Sequence, residues 1–148
     1  MLSRASLIFL VVPLVGCGPE PKDVSEPGYS AAREQPGFAS VSHQVRPARV
    51  DLRQGQSLFV RNCASCHGYE GRGNGSIARN LERKPRNLAR PETYLYGAGD
   101  LGVFRSTKFG VDGTPMGGWN GRMSDSEVWQ VTAYVRSIQE ESRPITDD

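Results

Sequence analysis

Two of the three cysteines and one of the two histidines fall within five residues, Cys63-Ala64-Ser65-Cys66-His67. On a helical turn, thiols three positions apart share one face, and a side chain four positions on lies over that same face. Two thiols placed this way can add to the two vinyl groups of one haem, while the imidazole binds its iron from one side. C-x-x-C-H is the pattern of covalent haem c attachment. The predicted cofactor is one haem c with its iron, held through Cys63 and Cys66, with His67 as an iron ligand. A redox dithiol would need a βαβ setting, and no run of the chain alternates as a strand does. A zinc site would need a second pair of Cys or His ligands, which is absent. No Ser-His-Asp set or paired-carboxylate motif is evident.

These residues must be positioned by the elements around them. Asp51 and Gln54 have the spacing of a capping box. They open a first helix whose Leu52, Gly55, Leu58, Phe59 and Asn62 share a face and which runs into the cysteine motif. Residues 68–75, G-Y-E-G-R-G-N-G, hold four glycines in eight positions. That density calls for a tight loop with positive φ or close backbone approach. The pattern is not G-x-x-x-x-G-K-[ST] and follows no strand, so nucleotide binding is excluded. Residues 76–81 predict a short helical turn with Ile77 and Leu81 on one side, and 84–97, broken by Pro85 and Pro91, an irregular stretch. Residues 99–110 predict a helix capped by Asp100, with Leu101 and Phe104 facing inward and Gly110 ending it. Residues 111–123 read as loop. Ser124 and Glu127 form a second capping box with Met123 and Val128 as a hydrophobic staple. The helix they start carries a stripe of Val128, Val131, Val135 and Ile138, flanked by Trp129 and Tyr134, and should end near Gln139. The predicted class is all-α, with long loops between short helices.

The N-terminal part reads differently. Residues 1–16 have a short charged start and an apolar run from Ala5 to Val15, too short to span a bilayer, which is the layout of a secretory signal. Leu14-Val15-Gly16-Cys17 resembles a lipobox, which implies cleavage before Cys17, acylation of Cys17, and a membrane held by a lipid anchor. The alternative is an ordinary signal peptide that happens to contain a cysteine. Residues 17–50 hold five of the ten prolines and no apolar period, and read as a flexible, lipid-anchored linker. His43 lies there as a solvated side chain. The domain is expected at 51–140, with a tail at 141–148. The formal net charge is +2, from 18 basic and 16 acidic residues. Without a basic block, nucleic acid is not expected as a partner. Hydrophobic residues make up only 37% of the chain, a low figure that a haem in the core would make good.

Residues 51–139 resemble a class I cytochrome c domain of the bacterial monohaem kind. The resemblance rests on C-x-x-C-H, on Gly55 and Phe59 in the first helix, on Tyr134 in T-A-Y-V-R-S-I of the last, and on the order of these elements. It implies a cytochrome c-like bundle of three to five short helices wrapped around one covalently bound haem, with Gly55 allowing the first and last helices to approach closely. G-T-P-M-G-G-W, residues 113–119, is similar to the family's distal-methionine loop, which implies Met116 as second axial ligand. Met123 is the other candidate, and a Met116 that merely packs near an open iron remains an alternative. Gly117 stands where many members have proline. The family's proline-rich stretch supplies a carbonyl to the proximal imidazole. This implies Pro85 in that role, with Arg86 and Trp119 as propionate partners. The function implied is that of a membrane-tethered electron carrier, not an enzyme. It would pass single electrons between redox partner proteins of a respiratory or dehydrogenase chain, exported and facing the periplasm or cell exterior. A cytochrome subunit fixed in a membrane complex, or a haem-based gas-binding protein with an open distal site, are the alternatives.

Overall fold

The computed structural model describes residues 39, 41 and 43–142. The predicted signal peptide, Cys17 and most of the predicted linker lie outside the described residues, as do residues 143–148. Four α-helices occur among the described residues: α1 (Leu52–Asn62), α2 (Ala64–His67), α3 (Asp100–Phe109) and α4 (Asp125–Glu141). Two 3-10 turns, Ala78–Asn80 and Pro91–Thr93, interrupt the long connection between α2 and α3. The described residues form no strand, only isolated bridges at Gly110–Gly117 and Asn120–Met123. No helix among them is long and apolar enough to cross a membrane.

The central pairing is α1 on α4. Gly55 makes it possible: a Cβ at that position would collide with the Gln130 carbonyl of α4. One turn on, Phe59 and Tyr134 meet across the crossing with ring centroids 5.3 Å apart and planes tilted by 56°. Leu58, Phe59, Val131, Val135 and Ile138 close a buried cluster there, joined by Val103 of α3. Leu52, expected on the same inward face, is exposed; it is the first residue of α1. The caps set the helix starts. Asp51 accepts from the backbone N–H of Arg53 and Gln54. Ser124 and Glu127 make the full reciprocal box at the start of α4, and Met123 packs against the cluster containing Val128. Helix α4 continues to Glu141, two residues past the expected end.

One expectation is corrected. Asp100 does not cap α3; Gly99 does, in extended conformation. The Asp100 carboxylate is engaged elsewhere, 3.2 Å from Arg46 and 3.1 Å from Arg136. As the first helical residue it still sits favourably at the positive end of the helix dipole. Residues of the stretch read as linker also pack on the helices. Order begins before Asp51: Val41 is 0% exposed, enclosed with Leu101, Phe104, Val128 and Trp129. Gln44 donates to Asp125 at 3.1 Å, and Arg46 pairs with Asp100. Part of the predicted linker is therefore packed against α3 and α4, because one apolar side chain in a polar stretch finds a complementary hollow. A periodicity search does not register a single buried valine. His43 is exposed, as expected of a solvated side chain.

Candidate functional site

Helix α1 does not run smoothly into the cysteine motif. Cys63 sits at the junction, at φ −119° and ψ −31°, and helical geometry resumes at Ala64. The turn is held by its backbone. The Cys63 carbonyl accepts from Cys66 N–H (3.1 Å) and His67 N–H (2.9 Å), and Ala64 from Gly68 (2.8 Å). The glycine-rich loop then folds back and takes the remaining carbonyls: Ser65 from Ile77 (3.1 Å), Cys66 from Gly75 (3.0 Å) and His67 from Gly73 (2.7 Å). All five carbonyls of the motif are thus satisfied, as buried backbone requires. Only glycine serves at residue 73. Its φ is +78°, and a Cβ there would strike the carbonyl of Pro85.

His67 is buried, and its Nδ1 lies 3.1 Å from the backbone carbonyl of Arg86. A carbonyl can only accept, so Nδ1 carries the proton and Nε2 keeps its lone pair for a metal. Burial lowers the pKa of the imidazole, and the Arg86 carbonyl works in the opposite sense. The balance favours the neutral ring, the form that binds iron. The predicted carbonyl donor, Pro85, is corrected by one residue. The Pro85 carbonyl faces Gly73, so the next carbonyl along, that of Arg86, turns toward the ring. Burial, followed by the neighbouring Cys66, pushes the Cys63 thiol up to about 12. A redox dithiol needs the opposite shift, toward thiolate. No disulfide joins Cys63 and Cys66.

Beside this turn lies a cavity of about 750 Å³. All of the predicted site residues except Cys17, which is outside the described residues, line it: Cys63, Cys66, His67, Pro85, Arg86, Met116 and Trp119. Phe59, Leu88, Val103, Val131 and Val135 supply much of its apolar wall. Met123 is not part of it; it packs in the core at the start of α4. The residues fit haem c on three observations. The cavity has the size and apolar lining of a cofactor site. Two thiols and a metal-ready imidazole open into it. Finally, no group of three His, Cys, Asp or Glu side chains among the described residues could hold a metal ion alone.

Met116 is carried by a loop closed on itself. Gly110 bridges Gly117, Val111 N–H donates to the Met116 carbonyl at 3.0 Å, and Gly117 N–H donates to the Pro115 carbonyl at 3.0 Å. The tight turn under Met116 is thus made by a hydrogen bond at Gly117, a bond that a proline there could not donate.

Several lining residues gave no sequence signal. The Tyr94 hydroxyl donates to the Leu88 carbonyl at 3.0 Å, and burial pushes its pKa up to about 12. Leu95, 51% exposed, also borders the cavity. Arg122 stacks 4.3 Å over the Trp119 ring. Together with Arg83, Lys84 and Arg86 it makes the charged lining entirely basic, with no Asp or Glu among the lining residues. An aromatic inside a proline-broken stretch was the one hint available for Tyr94. The basic rim comes from segments nearly forty residues apart and is visible only after folding.

Comparison with known proteins adds the following. The family model described as Cytochrome c matches residues 52–139. The cbb3-type cytochrome c oxidase subunit FixP of Bradyrhizobium diazoefficiens is 33% identical over 89 residues, covering 60% of this chain and 28% of that protein. Cytochrome c-L of Methylorubrum extorquens is 29% identical over 125 residues, covering 80% of this chain and 57% of that protein. Among solved structures, a chain of the reducing HAO-like protein complex of Kuenenia stuttgartiensis superimposes with a TM-score of 0.56 at 28% identity, covering 64% of this chain and 47% of that one. The chain thus spans little more than a quarter of FixP's length.

Proposed function

This chain belongs to the cytochrome c family, and from that premise we propose that it is a membrane-tethered monohaem electron carrier. The family's domain holds haem c covalently. When bound, the haem supplies a one-electron Fe(III)/Fe(II) couple. The chain's residues bind, orient and enclose it. Cys63 and Cys66 form the thioether links. His67 presents Nε2 to the iron, its ring oriented by the Arg86 carbonyl. Met116 would offer its thioether as the second ligand, which would raise the reduction potential relative to a second histidine. Arg86 and Trp119 serve the propionates. Phe59, Val103, Val131 and Val135 keep water from the ring.

Were His67 and Met116 both to hold the iron, no position would remain for a substrate, so the reading is outer-sphere electron exchange with redox partner proteins. The all-basic rim supports a partner that presents acidic groups. Residues 1–16 would direct export, and acylated Cys17 would hold the domain to the membrane, facing the periplasm or cell exterior. Held near its partners, the domain gains effective concentration. The observation that carries the ligand set is the commitment of His67 Nδ1 to a backbone carbonyl in a cavity that Met116 also lines.

The test is the visible spectrum of the oxidised holoprotein. The weak far-red sulfur-to-iron band is expected in the wild type and absent from Met116→Leu. A high-spin wild type without the band would sink the carrier reading and favour a gas-binding site. The similarity to FixP, itself an oxidase subunit, supports a second reading in which this cytochrome is fixed within a membrane complex. Co-purification with large membrane subunits that survives high salt would establish that arrangement, and its loss would favour the free carrier.

A further inference from the structure

Helix α3 presents Val103, Ser106 and Thr107 to the cavity, but its central side chain, Arg105, does not line it. Arg105 is only 1% exposed. Its guanidinium lies 3.8 Å over the centroid of the Tyr96 ring, and its Nη1 donates to the Gly110 carbonyl at 2.7 Å. Nη2 stands 3.9 Å from the Asp112 carboxylate, and the Tyr96 hydroxyl reaches the same carboxylate at 3.5 Å. Gly110 and Asp112 both belong to the loop that carries Met116.

Filling this volume with an apolar side chain would avoid the desolvation of a buried cation. What an arginine adds is direction. Its planar fork can stack on a ring and donate along a fixed line at once. Here that line ends on the residue where α3 becomes the Met116 loop. The loop hangs from that point. Val111 N–H bonds the Met116 carbonyl, Thr114 Oγ1 bonds the Val111 carbonyl at 2.6 Å, and Met116 N–H bonds Thr114 Oγ1 at 3.2 Å. Its outgoing end is tied to the same helix, with Trp119 N–H on Thr107 O at 3.0 Å and Asn120 N–H on Lys108 O at 2.8 Å. Both ends of the loop therefore rest on the last turns of α3, and Arg105 fixes the incoming one.

We infer that Arg105, with Tyr96 as its platform, is a positioning residue that seats the Met116 loop against the haem site. The inference rests on the reading of Met116 as axial ligand, but its mechanical part, the seating of the loop, can be measured separately. The experiment uses the full holoprotein as wild type, Arg105→Met and Arg105→Lys. Three readouts are taken: hydrogen exchange at Val111 N–H against the amides of α4, the far-red sulfur-to-iron band, and CO binding by the reduced protein.

In Arg105→Met, Val111 exchange should quicken about tenfold or more relative to α4, the scale of losing one charge-assisted hydrogen bond. The band should weaken and CO should bind more readily. Arg105→Lys keeps the charge and can still donate to Gly110, so it should fall between wild type and Arg105→Met. It also carries the test if the methionine variant does not accumulate as folded holoprotein. If the wild type lacks the band yet Val111 exchange still quickens in the variants, Met116 ligation is wrong and the seating role stands. If the wild type shows the band, and both band and Val111 exchange survive in the variants, ligation stands and the seating role is overturned.

Discussion

His67 reaches the cavity from a turn in which every carbonyl from Cys63 to His67 is bonded to a backbone N–H within fifteen residues. Met116 reaches the same cavity from a loop whose own bonds include the Thr114 side chain and whose incoming end is also held by a side chain, Arg105. The first region is rigid by backbone construction. The second is held by a tertiary contact and by the helix it leaves. The difference suits their roles. The attachment side must present two thiols and an imidazole in one register before the cofactor is joined. The distal side need only deliver one thioether afterwards, and its grip can be tuned without losing the haem.

The most severe way to break this comparison is to remove the attachment. Cys63→Ser combined with Cys66→Ser should abolish covalent haem entirely, read as loss of haem stain on a denaturing gel. Met116→Leu should retain the stain and lose the sulfur-to-iron band. The reduction potential of that variant should fall by more than about 59 mV, a tenfold change in a one-electron equilibrium. A Met116→Leu protein that loses its haem would show that the distal loop is as essential to attachment as the motif.

Two glycine substitutions sharpen the comparison at smaller scale. Gly73→Ala forces a side chain into φ +78° and against the Pro85 carbonyl. It should cost about 2–3 kcal/mol, read from the denaturation midpoint at unchanged m-value. Gly117→Ala, on the Met116 loop, meets nothing within 4 Å and has no positive φ. It should shift stability by less than about 0.5 kcal/mol. Equal costs would contradict the contrast between Gly73, pressed against the Pro85 carbonyl, and Gly117, which faces open space.

Much of this molecule was legible as sequence. The cofactor followed from C-x-x-C-H because the geometry of one helical turn places those groups together whatever the rest of the chain does. The capped start of α4 followed from the spacing of Ser124 and Glu127 and the valine stripe from helical periodicity, while the Gly55 crossing was reached through family resemblance. Met116, Arg86 and Trp119 were reached through family resemblance, and the structure brings them to one cavity. The Pro85 carbonyl missed by one residue, because a stretch without periodicity does not say which way each carbonyl faces. Asp100 looked like a cap because its type and place fit one, and nothing local reveals that Arg46 and Arg136 claim it.

What sequence alone determined, then, are the features set within a turn or two of chain: the attachment chemistry, the helices and the caps of α1 and α4. Tertiary structure decided what depends on remote segments meeting. It chose the carbonyl that orients His67, enclosed Val41 beneath α3 and α4, gathered an all-basic rim from distant loops, and placed Arg105 under the Met116 loop. Short-range geometry is dictated by covalent spacing and backbone hydrogen bonds. The partner of a buried side chain is dictated by which surfaces the packed helices leave open.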